Sequence, residues 1–402
     1  MNVVFLTLSD FNISDEQHIY ADLLRYFAKK GHNVSVISPK ERRYNEDTHL
    51  ITEDNCKILK LKIGNIQKTG IIEKGISTIL LESRFKSGFE KYFGDVKFDL
   101  VLYSTPPITL AGVVKYIKKR DNAKTYLLLK DIFPQNAVDI GMMTKTGVKS
   151  IIYKVFRRKE KQLYKLSDYI GCMSQANVDY IIKNNSCVNA DIVEISPNSI
   201  EVTDMSIDNN EREKIRKKYD IPLDKRVFVY GGNLGKPQGI DFLIECLRSQ
   251  KNNEKSYFLI VGNGTEYKKL ESYIKNENQI NVKLMKLLPK EDYDNIVAAS
   301  DVGMIFLDHR FTIPNFPSRI LSYMQARIPI LACTDPNTDI GKIIVEGGFG
   351  WWCESNDIQE FDNCIKSIEQ CDLKTMGDKA FEYCLQNYNV VDAAEKILGH
   401  FG

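Results

Sequence analysis

The sequence offers little that would mark a metalloprotein, a disulfide-rich secreted protein or a membrane-spanning protein. Its nine cysteines form no C-x-x-C pair, and no cluster of histidine, cysteine and carboxylate residues has metal-site spacing. No stretch approaches about 18 uninterrupted apolar residues, and the N-terminus has no basic leader of the secretory type. We therefore expect buried, reduced thiols, no obligatory metal and a cytoplasmic protein.

Several standard motifs are also missing. The chain has no G-K-[ST] phosphate loop, no G-x-G-x-x-G dinucleotide pattern and no Ser-His-Asp signature. Of its five histidines, His18 is the best placed for a functional role, at the start of the first predicted helix. A helix cap or a packing role is its ordinary explanation. Neither half contains a recognisable nucleic-acid-binding module.

Charge is low in total but uneven along the chain. The net charge is +2, yet residues 1–200 carry 30 basic against 22 acidic residues, and the remainder carries 25 against 31. A basic half beside an acidic half predicts that the first half meets an anionic partner.

Short apolar strands alternate with helices twice along the 402 residues. This pattern predicts α/β architecture, with two doubly wound parallel sheets. We place the first domain at residues 1–199 and the second at 200–385. The last helix, at about 386–402, is expected to return to the first domain.

The segment Val227–Leu247, VFVYGGNLGKPQGIDFLIECL, runs from a strand through glycines into a helix. Gly232 and its neighbouring glycines allow a close backbone approach, and the helix N-terminus favours an anion. Lys236 adds a charge and Gln238 a neutral donor. A diphosphate cradle and a plain tight turn are both open interpretations.

Two later loops of the same half resemble this arrangement. Gly262 and Gly264 follow the strand in VGNGTEYKKL, where a simple helix entry is the alternative to ligand contact. The helix in NFPSRILSYM begins with Ser318 and Arg319, and Ser322 follows one turn later. The planar guanidinium of Arg319 suits paired hydrogen bonds to a phosphate or a sugar. The alternative there is a helix cap and a solvated arginine.

In the first half, LLLKDIFPQNAVD places Lys130 and Asp131 directly after an apolar strand. A carboxylate at that point can accept a proton from a hydroxyl nucleophile, although a cap or a salt bridge is the commoner role of an aspartate. Asp139 is a weaker candidate of the same kind.

Residues 147–165 form a basic amphipathic pattern with seven basic residues and one acidic residue. The pattern predicts a helix whose apolar face carries Val148, Ile151, Ile152, Val155 and Leu163. Lys154, Arg157 and Arg158 are then candidates for contact with an anionic membrane or acceptor. An ordinary charged surface helix explains the pattern equally well.

Taken together, these segments resemble the family 4 glycosyltransferases of GT-B architecture, in the bacterial branch that builds capsule, O-antigen and other surface polysaccharides. The resemblance rests on the order of segments that span nearly the whole chain: FAKKGHNVSVISP, LYSTPPIT, KDIFPQNAVDIGM, IGCMSQANVDYI, ISPNSI, YGGNLGKPQGID, VGNGTEYKKL, FPSRILSYMQARIPILA, GGFGWWC and MGDKA.

This resemblance implies two Rossmann-like domains facing across a cleft, with the acceptor on the first domain and the donor on the second. It implies transfer, with retention, of an N-acetylated or deoxyamino hexose from a UDP-sugar to a polyprenyl-diphosphate-linked acceptor. The work would take place on the inner face of the plasma membrane.

The resemblance also implies roles for individual residues. The diphosphate would be bound by Gly232, Asn233, Lys236 and Gln238, the nucleoside by Gly262 and Gly264, and the sugar, phosphate or ribose by Ser318, Arg319 and Ser322. For catalysis we expect Asp131 to act on the acceptor and Lys236 and Arg319 on the leaving group.

The chain departs from the family pattern at two places. Asn233 and Gln238 replace an arginine and a lysine, and Pro314 and Ser322 replace two glutamates. A UDP-sugar 2-epimerase of the same architecture and a non-catalytic glycosyltransferase partner therefore remain open as alternatives.

Overall fold

The structure, a computed structural model, describes residues 1–15, 17–53, 55–66, 69–147 and 150–401. Its strands are β1 (Asn2–Leu6), β2 (Asn33–Glu41), β3 (His49–Glu53), β4 (Cys56–Ile63), β5 (Leu100–Ser104), β6 (Lys124–Leu129), β7 (Tyr169–Cys172), β8 (Val193–Ile195), β9 (Arg226–Asn233), β10 (Ser256–Asn263), β11 (Val282–Met285), β12 (Val302–Phe306), β13 (Ile330–Thr334) and β14 (Gly350–Glu354).

Its α-helices are α1 (Ile19–Lys29), α2 (Ile71–Phe93), α3 (Ala111–Asp121), α4 (Gln135–Asp139), α5 (Ser150–Leu166), α6 (Gln175–Asn184), α7 (Asn209–Lys218), α8 (Ile240–Ser249), α9 (Tyr267–Asn276), α10 (Lys290–Ala298), α11 (Arg319–Gln325), α12 (Ile340–Glu346), α13 (Ile358–Ile368), α14 (Leu373–Asn387) and α15 (Val390–Gly399).

The chain divides into two compact units. The first comprises Met1–Glu201 and Asn389–Gly402, and the second comprises Val202–Tyr388. The last helix, α15, packs on α1 within the first unit, where Ala394 and Ile397 join the core that contains Leu24.

The first unit is built on an eight-stranded sheet with the order β3-β4-β2-β1-β5-β6-β7-β8. All neighbouring strands are parallel except β3 and β4, which form an antiparallel hairpin at one edge. Strands β1, β5 and β6 are almost completely buried because helices cover both faces of the sheet. The first helix begins after His18, whose side chain accepts hydrogen bonds from the amides of Tyr20 and Ala21.

The second unit is built on a six-stranded, fully parallel sheet with the order β11-β10-β9-β12-β13-β14. Its central strand β9 lies between β10 and β12, so the loops that follow these three strands meet at one edge. Ligands of such sheets bind at this carboxyl edge. The expectation of two doubly wound parallel sheets is confirmed.

Most of the thiols lie in the interior. Of the nine cysteines, seven are buried, Cys371 is half-buried and Cys187 is exposed, and none is in a disulfide. Among the described residues, none of the helices has both the length and the apolar character needed to cross a bilayer.

Candidate active site

The loop after β9 depends on the backbone conformation of Gly232 and on hydrogen bonds made by side chains within the loop. Gly232 has a φ of 122°, a conformation that favours glycine. The side-chain oxygen of Gln238 accepts hydrogen bonds from the Asn233 side chain at 3.0 Å and from the Gly235 amide at 3.3 Å. These two polar residues therefore stabilise the loop, while the Lys236 side chain is exposed beside them.

A single turn of 3-10 helix, Lys236–Gln238, leads from this loop into α8. Gly239 follows with a φ of 56°, and the Asp308 amide donates to the carbonyl of Pro237 at 3.0 Å. The end of β12 thus fixes the entry of α8, whose N-terminus opens at the carboxyl edge of the sheet as the sequence predicts.

The loop after β10 packs directly against the loop after β9. A Cβ at Gly262 would overlap the carbonyl oxygen of Gly232, and a Cβ at Gly264 would overlap that of Leu234. The Leu234 amide donates to the Asn263 carbonyl at 2.9 Å, which joins the two backbones. The glycines are needed for this packing, whereas their contact with a nucleoside stays a prediction.

Arg319, at the start of α11, reaches the first of these loops. Its guanidinium carbon lies 4.4 Å from the centroid of the Tyr230 ring. One of its terminal nitrogens is 3.4 Å from the point that a Cβ at Gly232 would occupy. The other, Nη1, is buried and has no hydrogen-bond partner among the described residues. A buried cationic nitrogen without a partner is costly, so this arrangement favours an anion beside Gly232.

Tyr230 connects Arg319 to the loop and was not foreseen. Its ring lies against the guanidinium, and its hydroxyl donates to the Asn233 carbonyl at 2.8 Å. The sequence shows Tyr230 only as an apolar strand residue. Ser318 is exposed immediately before α11, and Ser322 is half-buried one turn further on.

In the first unit, Asp131 follows β6 and is held by neighbouring polar groups. The side-chain nitrogen of Asn136 donates to both of its carboxylate oxygens, at 2.8 and 2.9 Å. Its backbone amide lies 3.3 Å from the hydroxyl oxygen of Thr105. Burial raises the pKa of the Asp131 carboxyl to about 6, although the hydrogen bonds from Asn136 act in the opposite direction.

Lys130 and Asp139 have separate surroundings. The Lys130 ammonium donates to the Ser196 carbonyl at 3.0 Å, and burial lowers the pKa of Lys130 to about 7. Asp139 ends α4 and accepts a hydrogen bond from Gln135 at 2.6 Å. Lys130 therefore holds the Ser196 segment, and among the described residues its ammonium forms no ion pair with Asp131.

Helix α5 separates its basic residues into two groups. Arg157 pairs with the buried carboxylate of Glu160 and donates to the Asn185 side chain at 2.7 Å. Lys154 and Arg158 are exposed. Arg157 therefore stabilises the first unit, and the contact of Lys154 and Arg158 with a membrane stays a prediction. Val148, predicted on the apolar face, lies outside the described residues.

Within the described part of the chain, no group of three or more histidine, cysteine and carboxylate side chains is arranged to hold a metal ion. The candidate residues form one group in each unit: backbone amides, Lys236 and Arg319 in the second unit, and Asp131 and Asn136 in the first.

Known proteins with similar sequences carry glycosyltransferase names. The family model "Glycosyl transferases group 1" matches residues 211–382. The chain is 28% identical to the "Probable glycosyltransferase WbjE" of Pseudomonas aeruginosa, over 74% of this chain and 73% of that relative. It is 23% identical to the "UDP-Gal:alpha-D-GlcNAc-diphosphoundecaprenol alpha-1,3-galactosyltransferase" of Escherichia coli, over 51% of this chain and 52% of that relative.

The fold is shared with solved structures of similar size. Sucrose-phosphate synthase from Thermosynechococcus elongatus matches with a TM-score of 0.79 and 15% identity, over 100% of this chain and 98% of that one. The sequence motifs, the two parallel sheets and these similarities agree. The chain carries a domain of the glycosyl transferases group 1 family on a GT-B fold, and the predicted resemblance is confirmed.

Proposed function

We propose that the protein transfers a sugar from a UDP-sugar to a hydroxyl of a polyprenyl-diphosphate-linked saccharide during bacterial surface polysaccharide synthesis. The observation that carries the proposal is the buried, unpartnered guanidinium nitrogen of Arg319 beside Gly232. A UDP-sugar donor and a diphosphoundecaprenol-linked acceptor also appear in the name of the galactosyltransferase relative. The sugar we expect is an N-acetylated or deoxyamino hexose.

The chemistry in the second unit is electrostatic. When the bond between sugar and diphosphate breaks, negative charge develops on the departing UDP. Arg319 and the first amides of α8 stabilise this charge, because they are oriented before the reaction begins, and the exposed Lys236 adds a positive charge beside them. Asn233 and Gln238 hold the loop in shape, and Ser318 and Ser322 contact the sugar or the ribose. We expect the reaction to retain the anomeric configuration.

The chemistry in the first unit concerns the acceptor. Asp131 accepts the proton of the acceptor hydroxyl, and Asn136 holds its carboxylate in one orientation. With a pKa of about 6, the carboxylate is mostly ionised at neutral pH and is still basic enough to take a proton.

The acceptor lipid requires that the protein work at a membrane. We propose peripheral binding to the inner face of the plasma membrane, with the exposed Lys154 and Arg158 of α5 on anionic headgroups. We place Asp139, at the end of α4, beside the acceptor saccharide.

The test combines binding and transfer. UDP should raise the melting temperature of the wild-type protein more than ADP or GDP, and the shift should shrink in Arg319→Ala. A panel of UDP-sugars is then incubated with a polyprenyl-diphosphate-linked monosaccharide, and formation of a disaccharide supports the proposal.

Two results would replace it. Conversion of a UDP-N-acetyl sugar to its 2-epimer without an acceptor would assign the same nucleotide site to an epimerase. Tight UDP binding with no transfer to any lipid-linked acceptor would instead favour a non-catalytic partner protein.

A further inference from the structure

Tyr293, on α10, packs its phenol group directly against the backbone of Gly231 in β9. A Cβ at Gly231 would overlap the hydroxyl oxygen and the ring of Tyr293. The same relationship occurs in the neighbouring strand, where a Cβ at Gly303 of β12 would overlap the ring of Tyr323 from α11. Glycines in two adjacent strands therefore make room for two tyrosines from helices that contact each other.

The Tyr293 hydroxyl differs from the hydroxyls of two other tyrosines beside this loop. Tyr230 donates to the Asn233 carbonyl at 2.8 Å, and Tyr323 donates to the Met304 carbonyl at 3.1 Å. The Tyr293 oxygen is buried and has no hydrogen-bond partner among the described residues. A buried hydroxyl without a partner costs free energy, so its presence is explained by a partner that the chain itself does not supply.

A second unsatisfied donor lies at the next position along the backbone. Nη1 of Arg319 is also buried without a partner in the part of the chain that the structure describes, and its guanidinium lies against Gly232. Consecutive Cα atoms are about 3.8 Å apart, so the hydroxyl against Gly231 and the guanidinium against Gly232 occupy neighbouring positions of one loop. Two unused donors and one positive charge fit a single anion.

The remaining polar side chains of the loop have other positions or other bonds. The side-chain oxygen of Gln238 accepts hydrogen bonds from the Asn233 side chain and the Gly235 amide, and Lys236 is exposed. Tyr293 and Arg319 therefore supply the buried side-chain donors at this glycine pair.

The surroundings keep the Tyr293 hydroxyl protonated. Burial raises the pKa of Tyr293 well above its usual value, and the neighbouring Tyr323 acts in the same direction, whereas the positive charge of Arg319 opposes them. The hydroxyl therefore stays neutral at physiological pH. It can donate a hydrogen bond to an anion, and it does not serve as a base.

We propose that Tyr293 is a further donor-binding residue, whose hydroxyl donates to a phosphate oxygen of the nucleoside diphosphate beside Arg319. The proposal rests on the proposed function, because it takes the anion at Gly232 to be the diphosphate of the UDP-sugar. When the bond between sugar and diphosphate breaks, its electron pair stays on the diphosphate oxygen. The hydroxyl keeps its proton, and its hydrogen bond strengthens as this negative charge develops.

Tyr293→Phe tests the proposal, because it removes the hydroxyl and keeps the ring against Gly231. We expect the Kd for UDP, measured by isothermal titration calorimetry, to rise about tenfold, since one hydrogen bond to a charged group is lost. The kcat/KM for transfer should fall by about tenfold or more. The melting temperature of the unliganded protein should stay the same or rise, because the removed hydroxyl has no partner to lose.

Tyr273→Phe is the matched control. The Tyr273 hydroxyl is likewise buried and has no partner among the described residues. Its ring lies 5.3 Å from the guanidinium carbon of Arg248, at the C-terminal end of α8 and so at the opposite edge of the sheet from the loop after β9. Its substitution should leave the Kd for UDP unchanged.

Two results would overturn the proposal. A lower melting temperature of unliganded Tyr293→Phe with an unchanged Kd for UDP would show that the hydroxyl holds a structural water instead. An unchanged Kd at an unchanged melting temperature would show that the hydroxyl contacts no part of the nucleotide.

The same variant separates this inference from the proposed function. If Tyr293→Phe weakens UDP binding but neither it nor wild type transfers sugar, the role of Tyr293 stands and the transferase reaction fails. If the variant and wild type transfer sugar equally and bind UDP equally, the reaction stands and the role of Tyr293 fails. Absence of UDP binding to wild type would refute both.

Discussion

Asn136 donates hydrogen bonds to both carboxylate oxygens of Asp131, at 2.8 and 2.9 Å. These bonds fix the orientation of the carboxylate and favour its ionised form. Burial acts in the opposite direction and dominates, so the pKa of Asp131 is about 6. The balance between the two effects sets the pH at which this group can accept a proton.

If Asp131 is the general base, turnover should rise with pH through about 6 and level off above it. Asn136→Ala removes hydrogen bonds to the ionised form and should move the acid limb of the profile upward by about one pH unit. Asn363→Ala, at an exposed position of the second unit, should leave the profile in place. A profile that does not move in Asn136→Ala would exclude Asn136 as a positioning residue.

The same raised pKa has a consequence for stability. Because the folded state favours the protonated carboxyl, Asp131 contributes stability below its unfolded pKa, and this contribution is lost as the pH rises through about 6. Asp131→Asn should therefore be more stable than wild type at pH 8, with little difference at pH 4. Urea unfolding at the two values measures the change, and an equal difference at both would contradict the raised pKa.

Asp131→Asn should also lower turnover by about 100-fold or more while UDP binding stays unchanged. The amide keeps the size of the carboxylate but cannot take a proton. Steady-state kinetics and a UDP titration separate the two effects, and Asp191→Asn, at an exposed position of the first unit, serves as the control. Full activity in Asp131→Asn would remove this residue from the reaction.

Arg319→Ala should reduce kcat/KM for transfer by about tenfold or more, because one oriented donor to the leaving diphosphate is lost. Lys236→Ala should have an effect in the same direction. Arg310→Ala is the control, since Arg310 is half-exposed and pairs with Asp308 at 2.7 Å. Tyr230→Phe keeps the ring beside the guanidinium and should cost less than Arg319→Ala. Equal rates for Arg319→Ala and wild type would refute the assignment.

Gly262→Ala and Gly264→Ala should each lower the free energy of unfolding by about 1–3 kcal/mol, because the added methyl group overlaps a backbone carbonyl. Gly399→Ala has open space around its Cβ and should be neutral or stabilising. Thermal unfolding checks the three variants, and wild-type stability in Gly262→Ala would show that the loops separate easily.

The sequence was sufficient for the architecture, and it was insufficient for the contacts that assemble the site. Apolar strands followed by glycines predicted the loop after β9 and the helix α8 that follows it. Arg319 meets Gly232 only because β12 lies beside β9 in the sheet, and that strand order is a property of the whole domain.

Finer distinctions depended on burial. Arg157 and Arg158 are adjacent and look alike in the helical pattern. In the structure Arg157 pairs with Glu160 and donates to the Asn185 side chain, whereas Arg158 is exposed. The hairpin of β3 and β4 at one edge of the sheet and the long helix α2 were not among the predicted elements. No sequence pattern indicated the role of Asn136. Its partner Asp131 lies five residues earlier, before α4 begins, so helical spacing does not relate the two side chains.

The contact between Gly262 and the Gly232 carbonyl has a practical consequence for engineering. A side chain at Gly262 needs the Gly232 carbonyl to retreat, whereas a side chain at Gly232 is opposed by its φ of 122° and by Arg319, so the two loops must be redesigned as a pair or left alone. A mutant library intended to change the donor nucleotide should fix both glycines together with Asn233 and Gln238, which stabilise the loop, and vary the exposed Lys236.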